Sequence, residues 1–135
     1  MTKLEELVIE EATLLKQFAT PEELNNLDYE YLDGNSNWQC IYGQMTEDCR
    51  SNRAYELIQK CCQRVYHASS NDCFVGRLNG KPKQLNDPTN RLDYYVSPIE
   101  KFLYKEKPEQ YDESWKIQRL VAFLKGEIDV LNFNK

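Results

Sequence analysis

Hydrophobic residues recur at intervals of three and four along two stretches of the chain, with charged residues on the opposite side. The apolar positions are Leu4, Leu7, Val8, Ala12, Leu15 and Phe18 in the first stretch, and Ala54, Leu57, Ile58, Cys61, Cys62 and Val65 in the second. This spacing predicts two amphipathic helices, each packed on a core through one stripe. Ser51 is the predicted cap of the second helix, which is expected to end near His67.

Two further helices are predicted from their start signals. Thr20 to Glu23 and Ser97 to Glu100 each combine a capping hydroxyl, a proline at the first helical position and a glutamate three residues after the cap. A proline costs nothing at that position, and the glutamate can reach back to the cap. We expect the first of these helices to extend to about Leu27 and the other through about Lys105.

A last helix is predicted from about Glu113 to Lys125, with Gly126 as its C-cap. Its buried positions are expected to be Ile117, Leu120, Val121 and Leu124. The apolar residues that follow are expected to fold the tail back onto the body: Ile128, Val130, Leu131 and Phe133.

The remaining segments are less regular. Residues 33–37 favour a loop, and residues 38–50 fit either a short strand or an irregular buried segment. Residues 73–78 and 92–96 are predicted to be partner strands, joined through a polar loop at residues 81–91 that contains two prolines. The prediction is an α+β, mainly helical fold, with four to five helices around one core, a small two-stranded β element and a single domain over residues 1–135.

Charge is distributed unevenly along this 135-residue chain of formal net charge −5. Residues 1–33 carry nine acidic and two basic residues, a net charge of −7, whereas residues 50–91 carry eight basic and three acidic residues, a net charge of +5. Such fields can orient a protein toward a partner. No apolar run approaches the roughly 20 residues of a membrane span, and the first residues are acidic, so a cytoplasmic chain without membrane contact is expected.

Candidate catalytic and metal chemistry is sparse. Cys49, Cys61, Cys62, His67 and Cys73 lie within 25 residues but contain no Cys-x-x-Cys pair, so we interpret the cysteines as small, reduced core residues. The single histidine is explained by its predicted place at a helix end. Adjacent acidic pairs, Glu10-Glu11 among them, are expected on solvated helix surfaces. Without a phosphate-binding glycine loop or a nucleophile motif, we expect no enzyme, no cofactor and no metal.

The nine tyrosines and two tryptophans exceed what one small core can hold. Tyrosine, tryptophan and arginine dominate binding hot spots, and several of them fall near one another in the sequence. The predicted partner-binding residues are Trp38, Tyr42, Arg50, Arg53, Tyr55 and Arg64. The acidic surface of the first helix and residues 22–33 is the alternative contact face. Free nucleic acid is not expected as a partner, because the chain as a whole is acidic.

A short acidic chain rich in Asn, Lys and Tyr, with a compact mixed fold and no catalytic signature, resembles the small accessory proteins of phages and prophages, including anti-CRISPR and other anti-defence proteins. The resemblance implies a non-enzymatic inhibitor that docks on a host protein, such as an effector nuclease with bound guide RNA. Two alternatives stay open from the sequence: a sponge that binds a nucleotide messenger, and a small enzyme of unknown chemistry.

Overall fold

α-Helices make up most of the part of the chain that the structure describes. The computed structural model describes residues 2–34, 36, 38–62, 66–67, 95–106 and 115–134. Within these ranges the helices are α1 Lys3–Phe18, α2 Pro21–Asn25, α3 Ile41–Thr46, α4 Asn52–Cys61, α5 Pro98–Glu106 and α6 Trp115–Leu124. A 3₁₀ turn covers Tyr29–Tyr31, and two two-residue strands, β1 Tyr66–His67 and β2 Tyr95–Val96, pair antiparallel. The mainly helical prediction is confirmed.

Helix α1 is the central element of the described core. It packs against α5, α4 and α6 through the stripe that contains Val8, Ala12 and Leu15, all fully buried. Burial of each large aliphatic side chain stabilises the fold by roughly 1.5–3 kcal/mol. Further fully buried core residues come from the other helices: Ile41, Tyr42, Leu57, Ile99, Phe102, Leu103, Ile117 and Leu120.

Helix ends follow the local signals closely. Thr20 and Glu23 form the predicted reciprocal capping box at α2, and Thr2 forms another with Glu5 at α1. At the end of α6, Gly126 adopts φ +81°, a left-handed conformation that glycine enters without strain. Its N–H donates to the Phe123 carbonyl, and the next N–H donates to the Ala122 carbonyl, which completes a Schellman motif.

Two sequence predictions about helices are wrong. Residues 41–46 form helix α3, where a strand or an irregular segment was expected. The helix that begins after Ser51 ends at Cys61, well before His67, because Cys62 has extended dihedrals that turn the chain away. His67 therefore lies in strand β1 and not at a helix C-terminus.

The predicted two-stranded element is not shown. Its first strand, residues 73–78, and its connecting loop, residues 81–91, lie outside the described residues, as do Cys73 and Arg64. The short ladder that the structure does contain pairs Tyr66 with Val96, so it uses a different first strand. None of the described helices is both long enough and apolar enough to cross a membrane.

The C-terminal tail folds back as predicted, with one exception. Leu131 and Phe133 are buried and Ile128 packs against the core, whereas Val130 is 73% exposed. Phe123, which is not among the predicted buried positions of α6, is buried as well.

Candidate functional site

The predicted partner-binding residues do not form one surface. Tyr42 is fully buried in the core, so its prediction as a surface contact is wrong. Tyr55 is half-buried, Arg50 and Trp38 are exposed, and no position is described for Arg64. Tyr42 was misassigned because its hydroxyl has a partner inside the protein, which removes the usual reason for a tyrosine to stay at the surface.

Arg53 is occupied by contacts within the chain. Its Nε and one guanidinium nitrogen each donate to the Glu23 carboxylate at 2.8 Å, and the same nitrogen donates to the Phe18 carbonyl at 3.2 Å. Glu56 is a further ion-pair partner. The hydrogen bonds from Arg53 lower the pKa of Glu23. Arg53 thus ties α4 to α2 and to the end of α1, a structural role that sequence spacing did not reveal.

Substitution of Arg53 by methionine is expected to destabilise the fold by about 1 kcal/mol, because it removes a bidentate pair that is only partly shielded from water. Urea unfolding at neutral pH measures the loss. Lys3→Met, an exposed change on α1, is the matched control and should shift stability by less than about 0.5 kcal/mol. Equal effects of the two substitutions would contradict this role for Arg53.

The candidate binding site is a groove that contains two exposed aromatic side chains. Tyr31 is 65% exposed and Trp38 is 68% exposed. The groove has a volume of about 640 Å³. Its lining residues are Asn26, Asp28, Tyr31, Trp38, Gln39, Gly43, Gln44 and Glu47.

Gln44 on α3 positions one side of this groove. Its Oε1 accepts from the Asp28 N–H at 2.8 Å, and its Nε2 donates to the Asp28 carbonyl at 3.0 Å. This pair of bonds anchors the residues before the 3₁₀ turn to α3. On the other side, the Ser36 hydroxyl accepts from the backbone N–H groups of Trp38 and Gln39, each at 3.2 Å. The two aromatic residues are thus carried on segments with defined local geometry.

The groove is acidic. Asp28 and Glu47 contribute carboxylates, and none of the described lining residues is a lysine or an arginine. Glu47 has φ +81°, and among the described non-glycine residues only Glu47 has positive φ. With ψ −34° this residue lies in a sparsely populated region of backbone dihedrals, which costs on the order of 1–3 kcal/mol, and strain of this kind clusters at functional sites. Among the described residues, Trp38 therefore shares this groove with Asp28, from the acidic residues 22–33, and with Glu47.

A second polar cluster lies inside the core, around Glu11. Only 1% of this side chain is exposed, although the sequence predicted a solvated surface. Its Oε2 accepts from the Tyr42 hydroxyl at 2.6 Å, and its Oε1 accepts from the Ile99 N–H at 2.8 Å. Burial raises the pKa of Glu11 to about 7. The sequence does contain a signal for this burial, because Glu11 lies four residues after Leu7 and four before Leu15, on the apolar stripe of α1.

Glu100 is the second buried carboxyl group, with 3% of its surface exposed. The sequence predicts that it reaches back to its own helix cap. Only half of this capping box forms. The Glu100 N–H donates to the Ser97 hydroxyl, but Glu100 Oε1 accepts from the Tyr42 N–H at 3.4 Å. Its Oε2 has no hydrogen-bond partner. Burial raises the pKa of Glu100 to about 8.

The described cysteines match their predicted structural role. Cys40, Cys49 and Cys61 are buried, Cys62 is half-buried, and all four are free thiols. Burial raises the pKa of Cys61 to about 12, so at neutral pH it carries a proton and is a poor nucleophile. Within the described ranges, no group of three or more His, Cys, Asp or Glu side chains is placed to hold a metal ion.

The groove and the buried cluster are known from this structure alone. A scan against protein-family models and searches of curated proteins and of solved structures found no match to this chain. Functional inference therefore starts from the chemistry of these two sites.

Proposed function

We propose that this chain is a non-enzymatic inhibitor that binds a basic segment of a partner protein in the groove at Tyr31 and Trp38. The observation that carries the proposal is the exposure of both rings in a groove whose described lining residues include two charged ones, Asp28 and Glu47. Large exposed aromatics next to one sign of charge are typical of binding surfaces.

Cationic side chains of arginine and lysine are the chemistry that this groove fits best. A cation over an indole or phenol ring gains about 0.5–2 kcal/mol, and Trp38 and Tyr31 each offer such a ring. Carboxylates at Asp28 and Glu47 would pair with the same cations. Complementary charge speeds association and rejects acidic partners.

An effector nuclease is the class of partner that we propose, in keeping with the anti-CRISPR or anti-defence resemblance. Such enzymes hold nucleic acid in channels lined with lysine and arginine. An acidic groove with two stacking rings can occupy part of such a channel and so block the nucleic acid. A nucleotide messenger is the weaker candidate, because the carboxylates of Asp28 and Glu47 would repel its phosphates.

The direct test measures the binding of a short peptide of alternating arginine and serine by isothermal titration calorimetry at moderate salt. We expect the wild-type chain to bind this peptide and the Trp38→Ala variant to bind at least tenfold more weakly, which corresponds to about 1.4 kcal/mol. Tyr31→Ala and Asp28→Asn are expected to weaken binding in the same direction. Raising the salt concentration should reduce the affinity.

Val130→Ala is the matched control, because it also truncates a highly exposed apolar side chain but lies outside the groove. It should bind the peptide as the wild type does. Equal peptide affinities for Trp38→Ala and wild type would contradict the proposal, as would preferential binding of single-stranded RNA over the peptide. Capture of a nuclease from host lysate by the wild type but not by Trp38→Ala would then identify the partner.

A further inference from the structure

Two of the buried carboxyl groups, those of Glu11 and Glu100, each cap a helix other than their own. Glu11, on α1, accepts from the N–H of Ile99, which is the second residue of α5. Glu100, on α5, accepts from the N–H of Tyr42, which is the second residue of α3. The α3 cap residue, Cys40, makes no side-chain capping bond of its own. Helix N-termini leave such N–H groups unsatisfied, so these two carboxyls join α1, α5 and α3 in series.

Polar groups around Glu11 come from three elements. They are the Tyr42 hydroxyl on α3, the Ser97 hydroxyl before α5 and the Cys62 thiol after α4. On α6, which also packs against α1, Lys116 pairs with Glu5, whose Oε2 lies 2.7 Å from the Lys116 Nζ.

Around Glu100 the partners are the Cys40 thiol before α3, the Cys49 thiol between α3 and α4, the Tyr42 N–H and Glu11 itself. No cationic side chain is among these groups. Ionisation of both carboxyls would therefore place two negative charges in the core with dipoles alone to balance them, which is costly. The unpartnered Oε2 of Glu100 makes that residue the less stable of the two as an anion.

We propose that Glu11 and Glu100 form a proton-dependent latch, which holds α3 and α5 against α1 while the carboxyls are protonated and releases α3 when they ionise. Helix α3 is short, with six residues, and the Tyr42 N–H in its first turn donates to Glu100 at 3.4 Å. It also contributes Gly43 and Gln44 to the groove, so release of α3 changes the groove. The latch is a property of the fold and does not require the groove to bind anything.

The direction of the pH effect follows from the raised pKa values. In the folded chain these pKa values are about 7 for Glu11 and about 8 for Glu100, against 4.5 for an unperturbed glutamate. Between pH 4.5 and these raised values, the two glutamates keep protons in the folded state that they have released in the unfolded state. Stability from this source is complete below pH 4.5 and is lost as the pH rises toward 8.

The test compares urea unfolding of the wild type, Glu100→Gln and Glu10→Gln at several pH values from 5 to about 7. Each retained proton makes the unfolding equilibrium constant rise about tenfold per pH unit. The unfolding equilibrium constant of Glu100→Gln should therefore rise by a factor about tenfold smaller per pH unit than that of the wild type. The constant of Glu10→Gln should rise as that of the wild type does. The same pH dependence in Glu100→Gln and wild type would overturn the proposal.

A measurement on the unmodified chain covers the case in which Glu100→Gln does not fold. Infrared spectroscopy should detect the band of protonated carboxyl groups at pH 6 and its loss by about pH 9. Hydrogen exchange of the α3 amides, corrected for the intrinsic rate, should rise at least tenfold over the same range. Absence of the protonated band at pH 6, or unchanged protection of α3, would overturn the latch.

Discussion

Replacement of Glu11 by alanine is expected to destabilise the fold by about 2–6 kcal/mol at pH 6. The substitution removes the acceptor for the Tyr42 hydroxyl and for the Ile99 N–H, and both donors are buried. Each buried donor left without a partner costs about 1–3 kcal/mol. Urea unfolding followed by circular dichroism measures the loss.

Glu10→Ala is the control for this experiment. Glu10 precedes Glu11 on the same helix but is half-exposed, so its removal should shift stability by no more than about 0.5 kcal/mol. The pair thus separates the burial of Glu11 from any general effect of charge or helix propensity in α1. If both variants were equally stable, Glu11 could not be the buried acceptor that the structure describes.

Structural features that depend on residues close together in the sequence could be predicted. The stripe of α1, the capping box that opens α2, the start of α5 at Pro98 and the glycine that ends α6 each depend on residues within one or two turns. Their free energies are local, so the sequence pattern and the fold agree.

Features that depend on distant residues could not be predicted. Helix α3 gains its N-terminal partner from Glu100, 58 residues away, and no local pattern indicates that contact. The groove likewise depends on Gln44, whose side chain fixes the backbone of Asp28 across 16 residues. Trp38 was therefore assigned to the basic residues that follow it, although the fold places it beside acidic ones.

Helix α3 connects the two sites of this protein. The Tyr42 N–H in its first turn donates to the buried carboxyl group of Glu100, and its Gln44 donates to the Asp28 carbonyl at the groove. With the proposed latch, the groove-bearing helix is held most firmly below about pH 7 and loosens as the pH rises toward 8. Rigid surfaces bind with a smaller loss of conformational entropy, so the proposed docking is favoured in that range.

Replacement of Phe133 by alanine is expected to destabilise the fold by about 3 kcal/mol, although the residue lies near the end of the chain. Phe133 is buried, and its ring centroid lies 4.9 Å from that of Phe102, a fully buried residue of α5. Truncation of a buried phenylalanine typically costs 3–5 kcal/mol, and partial collapse of the tail favours the lower value. Thermal and urea unfolding measure the effect.

Val130→Ala serves as the control, since the side chain of Val130 is exposed on the same tail and its loss should leave stability nearly unchanged. Arg119 fixes the tail on both sides of Phe133, because one of its guanidinium nitrogens donates to the carbonyls of Asn132 and Asn134 at 3.0 and 3.1 Å. A large loss for Phe133→Ala alone would show that the tail is part of the core. Equal, small effects of both substitutions would mean that the tail does not hold Phe133 against α5 in solution.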